Sequence, residues 1–262
     1  MCGSMRIYSA DECDARQCLE LGMAIGAWLG HNGMIMTGTD GKPVSRLVRR
    51  ALTVGLASTG VTVLDMRMVP EVVVGYEVKK QGMGAGLYVS FDGARFHVSI
   101  CKSDGEPLDQ ATAQKVLALR GQPAAHKLGI MDLGTILYYP NGIEDYIDSL
   151  YSEISFRKPV SVLVDCQTTP IAALVPGLFE RYGIKATLFN GLVSGYGTPK
   201  PREEFLSTLR HERYHLGLRF MEAVEIYDGA GNQVDERHGI KEVLLYLRDL
   251  PAPGNAHLGG RA

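Results

Sequence analysis

Apolar runs of strand length alternate with amphipathic runs of helical length along this chain, and that alternation restricts the fold more than any other feature. Residues 12–30 carry Cys18, Leu21, Met23, Ile25, Trp28 and Leu29 at helical spacing, and "GHNG" stops the run. "GMIMTG" is a short buried strand, followed by the polar loop "TDGKPVS". "RLVRRALTVGLAST" is helical up to Gly60, "VTVLDM" is a β-branched strand, "PEVVVGYEVKKQ" is a helix and "GAGLYVS" a third strand. Strand, helix, strand, helix, strand in that order is the pattern of a parallel sheet with crossover helices.

The pattern then changes and restarts. "FHVSICKSDGEPLD" reads as a hairpin turning at Asp104-Gly105, "DQATAQKVLALRG" as a helix, and "QPAAHKLGIMDLGTILYYPNG" as a looser segment leading into the helix "IEDYIDSLYSEI". A second unit opens on the strand "KPVSVLVDCQ". It runs through the helix "PIAALVPGLFERYG", the strand "IKATLFN", the helix "PREEFLSTLRHER", the strands "LGLRF" and "AVEIYDGAGNQV", and the helix "GIKEVLLYLRDL". The expectation is two α/β domains, each a mixed sheet flanked by helices, over residues 1–143 and 144–262, with a disordered tail from about residue 251.

Composition narrows the partners. At 45% apolar and 21% charged residues with a net charge of −2, there is core material in plenty and no basic excess to recruit nucleic acid or an anionic membrane. No apolar run reaches the ~18 residues of a membrane span, and the first residues lack a basic segment followed by an apolar one. The cysteines (Cys2, Cys13, Cys18, Cys101 and Cys166) are odd in number and lack a C-x-x-C pair, so they read as reduced thiols of a cytoplasmic protein.

Several stretches carry a resemblance. "GTDGKPVSRLVRRALTVGLASTGVTVLDMRMVP" is similar to G-x-D-x-R-x-S-S … G-x-x-x-x-G-x-x-V-x-D-x-G-x-x-P-T-P, with Gly38, Asp40, Ser45, Gly55, Gly60, Val63, Asp65 and Pro70 in place. Lys42 stands for arginine, and Val44 and Val69 for a serine and a threonine. "YVSFDGARFHVSICKSDGEPLD" falls where T-A-S-H-N-P-x-x-Y-N-G-x-K … D-G-x-P-L would, and "YDGAGNQV" is similar to V-D-E-x-G-x-x-L. In order and spacing, residues 14 to 250 thus resemble the front half of the α-D-phosphohexomutases, the phosphoglucomutase and phosphomannomutase family. The resemblance implies intramolecular phosphoryl transfer on a hexose phosphate. A phosphoserine in the first domain would act with Mg²⁺ on aspartates of the second, and a third and fourth domain would hold the sugar.

Carried over residue by residue, the resemblance places Ser90 at the phosphoserine, in a loop near 88–98 whose neighbours are rewritten. Phe91, Asp92 and Gly93 stand for histidine, asparagine and proline, and His97-Val98 for asparagine-glycine. Asp92 adds an anion where a phosphate would sit. Lys42, Arg95, His97 and Lys102 are the candidate phosphate-binding cations. The alternative reading of Ser90 is a plain strand end followed by an Asp-Gly turn.

The metal loop, near 220–226, is about three residues short of the family spacing and retains only Glu222 and Glu225 as oxygen ligands. Two glutamates three apart in a strand point to opposite faces, so no metal site is expected, and Mg²⁺ enters only with an active enzyme. His211 and His215 in "RHERYH" share a helix face if the helix runs on, Cys166 is a buried strand-end thiol, and "GLVSGYG" fits neither a P-loop nor a dinucleotide fingerprint.

The chain also stops after the second resembling domain, so the expectation is a catalytically degenerate, two-domain protein acting as a binding or assembly module. It would self-associate or pair with another chain through surface that domains three and four cover in the family. Two alternatives are a residual phosphoryl-transfer protein using Ser90 with a partner chain, and a sensor that binds a sugar phosphate without turning it over.

Overall fold

The computed structural model describes residues 6–10 (main chain), 14–122, 128–191 and 198–251. The chain forms two compact units that part between Tyr146 and Ile147.

The first unit is built on a six-stranded mixed sheet. Its strands are β1 (Arg6–Ala10), β2 (Met34–Thr39), β3 (Thr62–Met68), β4 (Ala85–Phe91), β5 (Phe96–Lys102) and β6 (Ile136–Tyr138), in the order β1-β5-β4-β2-β3-β6. β4, β2, β3 and β6 run parallel, β5 is antiparallel to β4, and β1 pairs antiparallel with β5 at the edge. The helices α1 (Ala15–Leu29), α2 (Pro43–Ser58), α3 (Glu71–Gln81) and α4 (Gln110–Ala118) follow the segments read from sequence.

Strand alternation sorts the two faces of this sheet. Ile35, Val63, Leu87, Val89, Val98 and Ile100 point to one face and form a core with Leu21, Ile25, Leu52 and Leu56 of α1 and α2. On the opposite face α3 lies close, because Gly38 and Gly86 leave room for Val74; a Cβ on either would come within 2.8 Å of that side chain. α1 and α2 cross at similarly short range, since a Cβ on Gly22 or Gly55 would stand 2.2 Å from a carbonyl oxygen of the other helix.

The second unit has the five-stranded mixed order β11-β10-β9-β7-β8. Its strands are β7 (Ser161–Asp165), β8 (Lys185–Phe189), β9 (Leu216–Phe220), β10 (Val224–Asp228) and β11 (Gln233–Arg237). β8, β7 and β9 are parallel, and β10 and β11 turn back antiparallel. Helix α5 (Gly142–Glu153) precedes them, and α6 (Ile171–Arg181), α7 (Arg202–His211) and α8 (Ile240–Asp249) complete the unit. Phe205 of α7 meets Phe189 and Tyr227 edge-on, both at 5.7 Å between ring centroids. Lys158 closes the end of α8, its ammonium donating to the carbonyls of Leu247 at 2.8 Å and Arg248 at 3.0 Å. Burial holds that ammonium below the usual lysine range.

Three details differ from the sequence reading. "AVEIYDGAGNQV" is not one bent strand but the two strands β10 and β11, closed by Asp228 and Asn232 with Gly231 at φ +85°. β1 and β6 also appear as edge strands. β6 has three residues, all exposed, so no alternation marks it in sequence. Among the described residues no helix is long and apolar enough to cross a membrane.

Candidate functional site at the carboxyl ends of the parallel strands

β3 and β4 lie on opposite sides of β2, so the order of the first sheet reverses at the carboxyl ends of β2 and β4. Open α/β sheets bind ligands in the crevice such a reversal creates. Ser90 stands there, half-buried, one residue before the end of β4 and directly opposite His97 of β5.

The "TDGK" loop after β2 clamps the strand beside Ser90. The Asp40 carboxylate accepts from the amide of Phe91 at 2.8 Å and from that of Lys42 at 3.1 Å. The Lys42 ammonium in turn donates to the carbonyl of Phe91 at 2.5 Å and lies 4.0 Å from Asp40. Both main-chain groups of Phe91 are therefore held by side chains of one short loop.

The turn that follows is closed by Asp92. Its carboxylate accepts from the amides of Arg95 at 2.8 Å and Ala94 at 2.9 Å, and its second oxygen lies 2.7 Å from His97 Nε2. The Arg95 amide, then His97 and the Ala94 amide, hold this carboxyl well below the usual carboxylate range. Gly93 takes φ +107°, a conformation open to glycine. His97 is buried, and its Nδ1 has no hydrogen-bond partner. β4 thus continues as regular strand through Ser90 and Phe91 into a tight hairpin.

Of the sequence candidates, the fold brings Ser90, Lys42 and His97 to one corner and leaves Arg95 exposed on the adjoining turn. Lys102 is elsewhere. It pairs in register with Ala85 at the start of β4, five residues along β5 from His97, which is about 16 Å at the rise of a strand. It faces Asp104 at 3.4 Å. An antiparallel partner carries successive residues away from the strand end, so Lys102 supplies no charge to Ser90.

Tyr88, buried two residues before Ser90 on the same strand face, was not singled out from sequence. Burial, with the charges of Asp40 and Glu71, pushes its phenol well above the usual range. In the middle of β3, Asp65 pairs with the buried Arg49 at 2.5 Å and accepts from the amide of Arg67 at 2.8 Å. Arg67 holds φ +61° at a place where the family pattern has glycine, with its guanidinium 4.0 Å from the ring centre of Tyr138.

The second sheet repeats the geometry at β7 and β9, with other contents. β9 and β10 are joined by the short turn Met221-Glu222-Ala223, closed by the Met221 amide on the Ala223 carbonyl at 3.0 Å. Behind it Arg219 reaches the fully buried Asp165 at 3.1 Å and Glu225 at 3.2 Å. Tyr227 donates to Glu225 at 2.7 Å and Arg202 donates to the Tyr227 hydroxyl at 2.9 Å. Gln167 and Asn190 donate to Asp165 at 3.1 and 2.8 Å, and Gln167, Thr168 and Asn190 take φ of +50°, +56° and +51°.

Glu222 lies in the turn, not in a strand, so the expectation of opposite faces does not hold. Glu222 and Glu225 line one open depression of about 750 Å³ with Met221, Ala223, Glu236 and His238. Mg²⁺ of the family type does not fit these residues, because Glu225 already serves Arg219 and Tyr227 and octahedral oxygen coordination needs more ligands than Glu222 provides. Among the described residues no group of three or more His, Cys, Asp or Glu is placed to hold a metal ion.

His211 and His215 do not share a helix face. α7 ends at His211 and Arg213 reverses the chain at φ +56°, while His215 Nδ1 lies 2.7 Å from the Ser161 hydroxyl. Cys166 is buried, and burial pushes its thiol up to about 12. Most of "GLVSGYG" lies outside the described residues.

Comparison with known proteins agrees with this architecture. Residues 3–121 match the family model described as phosphoglucomutase/phosphomannomutase, alpha/beta/alpha domain I. A probable phosphoglucosamine mutase of Methanobrevibacter smithii is 24% identical over 210 residues, covering 78% of this chain and 47% of the relative. The phosphoglucosamine mutase of Francisella tularensis is 24% identical over 258 residues, covering 92% and 57%. Among solved structures, a phosphoglucomutase/phosphomannomutase family protein of Burkholderia thailandensis superposes with a TM-score of 0.71 at 17% identity, covering 85% of this chain and 52% of the other. A putative phosphomannomutase of Thermus thermophilus gives 0.68 at 18%, covering 84% and 54%. Residues 3–121 thus match domain I of the phosphoglucomutase/phosphomannomutase family, and the fold is the one shared with its solved members. The chain spans about half the length of the curated relatives it matches.

Proposed function

We propose that this phosphohexomutase-like chain works as a binding or assembly module and does not by itself turn over hexose phosphates. The observation that carries this reading is the closure of the Ser90 corner. Asp92, ionised and two residues away, caps the hairpin and takes His97, while Lys42 is spent on the Phe91 carbonyl and Asp40. Phosphoryl transfer depends on positioning and on cations free to meet the charge of the moving group. Here the nearest cations already have partners and the nearest new charge is negative.

A second reading rests on one contact. The Lys42 ammonium sits on the carbonyl of the residue next to Ser90, so one cation is in place should Ser90 accept a phosphoryl group. In that case a partner chain would supply the remaining cleft and any Mg²⁺. A sugar phosphate held at Lys42 without turnover is the corresponding sensor form of the same idea.

Intact-mass measurement separates the readings. The purified chain is incubated with Mg²⁺ and a hexose 1,6-bisphosphate, beside a Ser90→Ala control. The expected result is an unmodified mass in both. One added phosphate that maps to Ser90 and is absent from the control would overturn the first reading in favour of the second.

A further inference from the structure

Away from both loops, α3 carries a carboxyl group in surroundings that do not suit a charge. Glu77 is fully buried, and its Oε1 has no hydrogen-bond partner. Its Oε2 lies 3.3 Å from Gln81 Nε2 and 3.0 Å from the hydroxyl oxygen of Tyr139. That same hydroxyl oxygen lies 2.8 Å from Gln81 Nε2 and 3.0 Å from Asp145 Oδ2. Asp145 Oδ2 is in turn paired with the ammonium of Lys80 at 2.8 Å.

Counting hydrogens decides what these distances mean. A tyrosine hydroxyl owns a single hydrogen and an ionised carboxylate owns none. With both acids ionised, Tyr139 satisfies one of them and turns a lone pair toward the other at hydrogen-bond distance. Gln81 does not relieve this, because its amide already reaches both the Tyr139 oxygen and Glu77. The group is one proton short. Asp145 has the ammonium of Lys80 and partial contact with solvent, so it is the acid that stays ionised and takes the Tyr139 hydrogen. Glu77 is the better buried acid, and an unpartnered oxygen costs less on a neutral carboxyl than on a charged one.

We infer that Glu77 is held as a neutral carboxylic acid donating to Tyr139, and that this proton latches α3 to the segment running from β6 into α5. The groups facing it are Lys80 and Gln81 of α3, Tyr139 after β6, and Asp145 of α5. Burial raises the carboxyl above its ordinary 4.5, against the contacts with Gln81 and Tyr139 and the charge of Lys80, and Asp145 adds to the rise. Asp145 is shifted the other way by Lys80.

The sign of the pH dependence follows. Because the folded state binds this proton more tightly, the latch is complete below the unfolded value of 4.5 and loosens as pH rises through the folded value. Asp145 behaves oppositely and loses its contribution only in acid.

The test is the melting temperature of the full chain and of Glu77→Gln between pH 4.5 and about 8, where glutamine offers a permanent N–H to Tyr139. The variant is expected to match the parent at the acid end and to melt progressively higher than it as pH rises. An offset that stays constant with pH, or a variant less stable throughout, overturns the assignment. Should Glu77→Gln fail to fold, the carboxyl carbon of Glu77 in the unmodified chain is titrated by NMR. A midpoint above 4.5 supports the latch, and one at or below 4.5 overturns it.

Discussion

The β4–β5 and β9–β10 hairpins hold the same station in their two sheets. Each lies where a parallel strand ends and the chain turns back antiparallel, and each falls where the family resemblance places a loop of the active site. They are closed by different means. The first keeps its serine and is tied by side chains arriving from outside the turn, with Asp40 and Lys42 on Phe91 and His97 on Asp92. The second is closed by shortness, and its charged groups lie behind the turn as an ion cluster around Arg219. One loop is fastened by contacts and the other is short, so the first could be opened by few substitutions and the second lengthened only by inserted residues.

That contrast predicts where each region breaks. The largest effect should come from Arg219→Leu, which leaves the buried Asp165 without its guanidinium; about 3 kcal/mol of stability should be lost in urea unfolding. A loss below about 1 kcal/mol would mean that Gln167 and Asn190 satisfy Asp165 by themselves, and that the cluster is less important than its geometry implies.

Asp40→Ala should cost less, about 2 kcal/mol, by stranding the amides of Phe91 and Lys42. It should also speed hydrogen exchange at Phe91 while the β9–β10 turn keeps its protection. Equal loosening of both hairpins would show that they do not fail separately.

Asp92→Asn should have the smallest effect, below about 1 kcal/mol, because the Asp92 side chain is about half exposed. Its carboxyl is lowered in the folded state, so its contribution is present above the unfolded value of 3.8 and fades as pH falls through the folded value. The melting-temperature gap between parent and variant should therefore be steady near neutrality and close in acid. A gap that persists in acid would place the role of Asp92 in its shape and not in its charge.

Much of the framework was legible in the residues. "VTVLDM" and "VSVLVD" are near-continuously apolar, as strands inside a parallel sheet are, and both are interior strands. The helices were legible from their stripes. β1 and β6 were not, because edge strands are fixed by the neighbour they pair with and not by a pattern of their own. In the candidate site, Ser90 and Lys42 could be named from their order in the chain. The contact that commits Lys42, to a carbonyl 49 residues away, could not.

By itself, then, the sequence determined the alternation of elements, the two mixed sheets and the residues that stand at their strand ends, since these follow from side-chain periodicity and turn chemistry over a few neighbouring positions. Only the tertiary structure decided which charges meet. It sent Lys102 to the far end of β5, turned His215 away from His211, and set Glu77, Tyr139 and Asp145 around one proton. Register and crossover bring distant residues within hydrogen-bond reach, and electrostatic interactions of buried groups depend on those separations and on the water excluded from them.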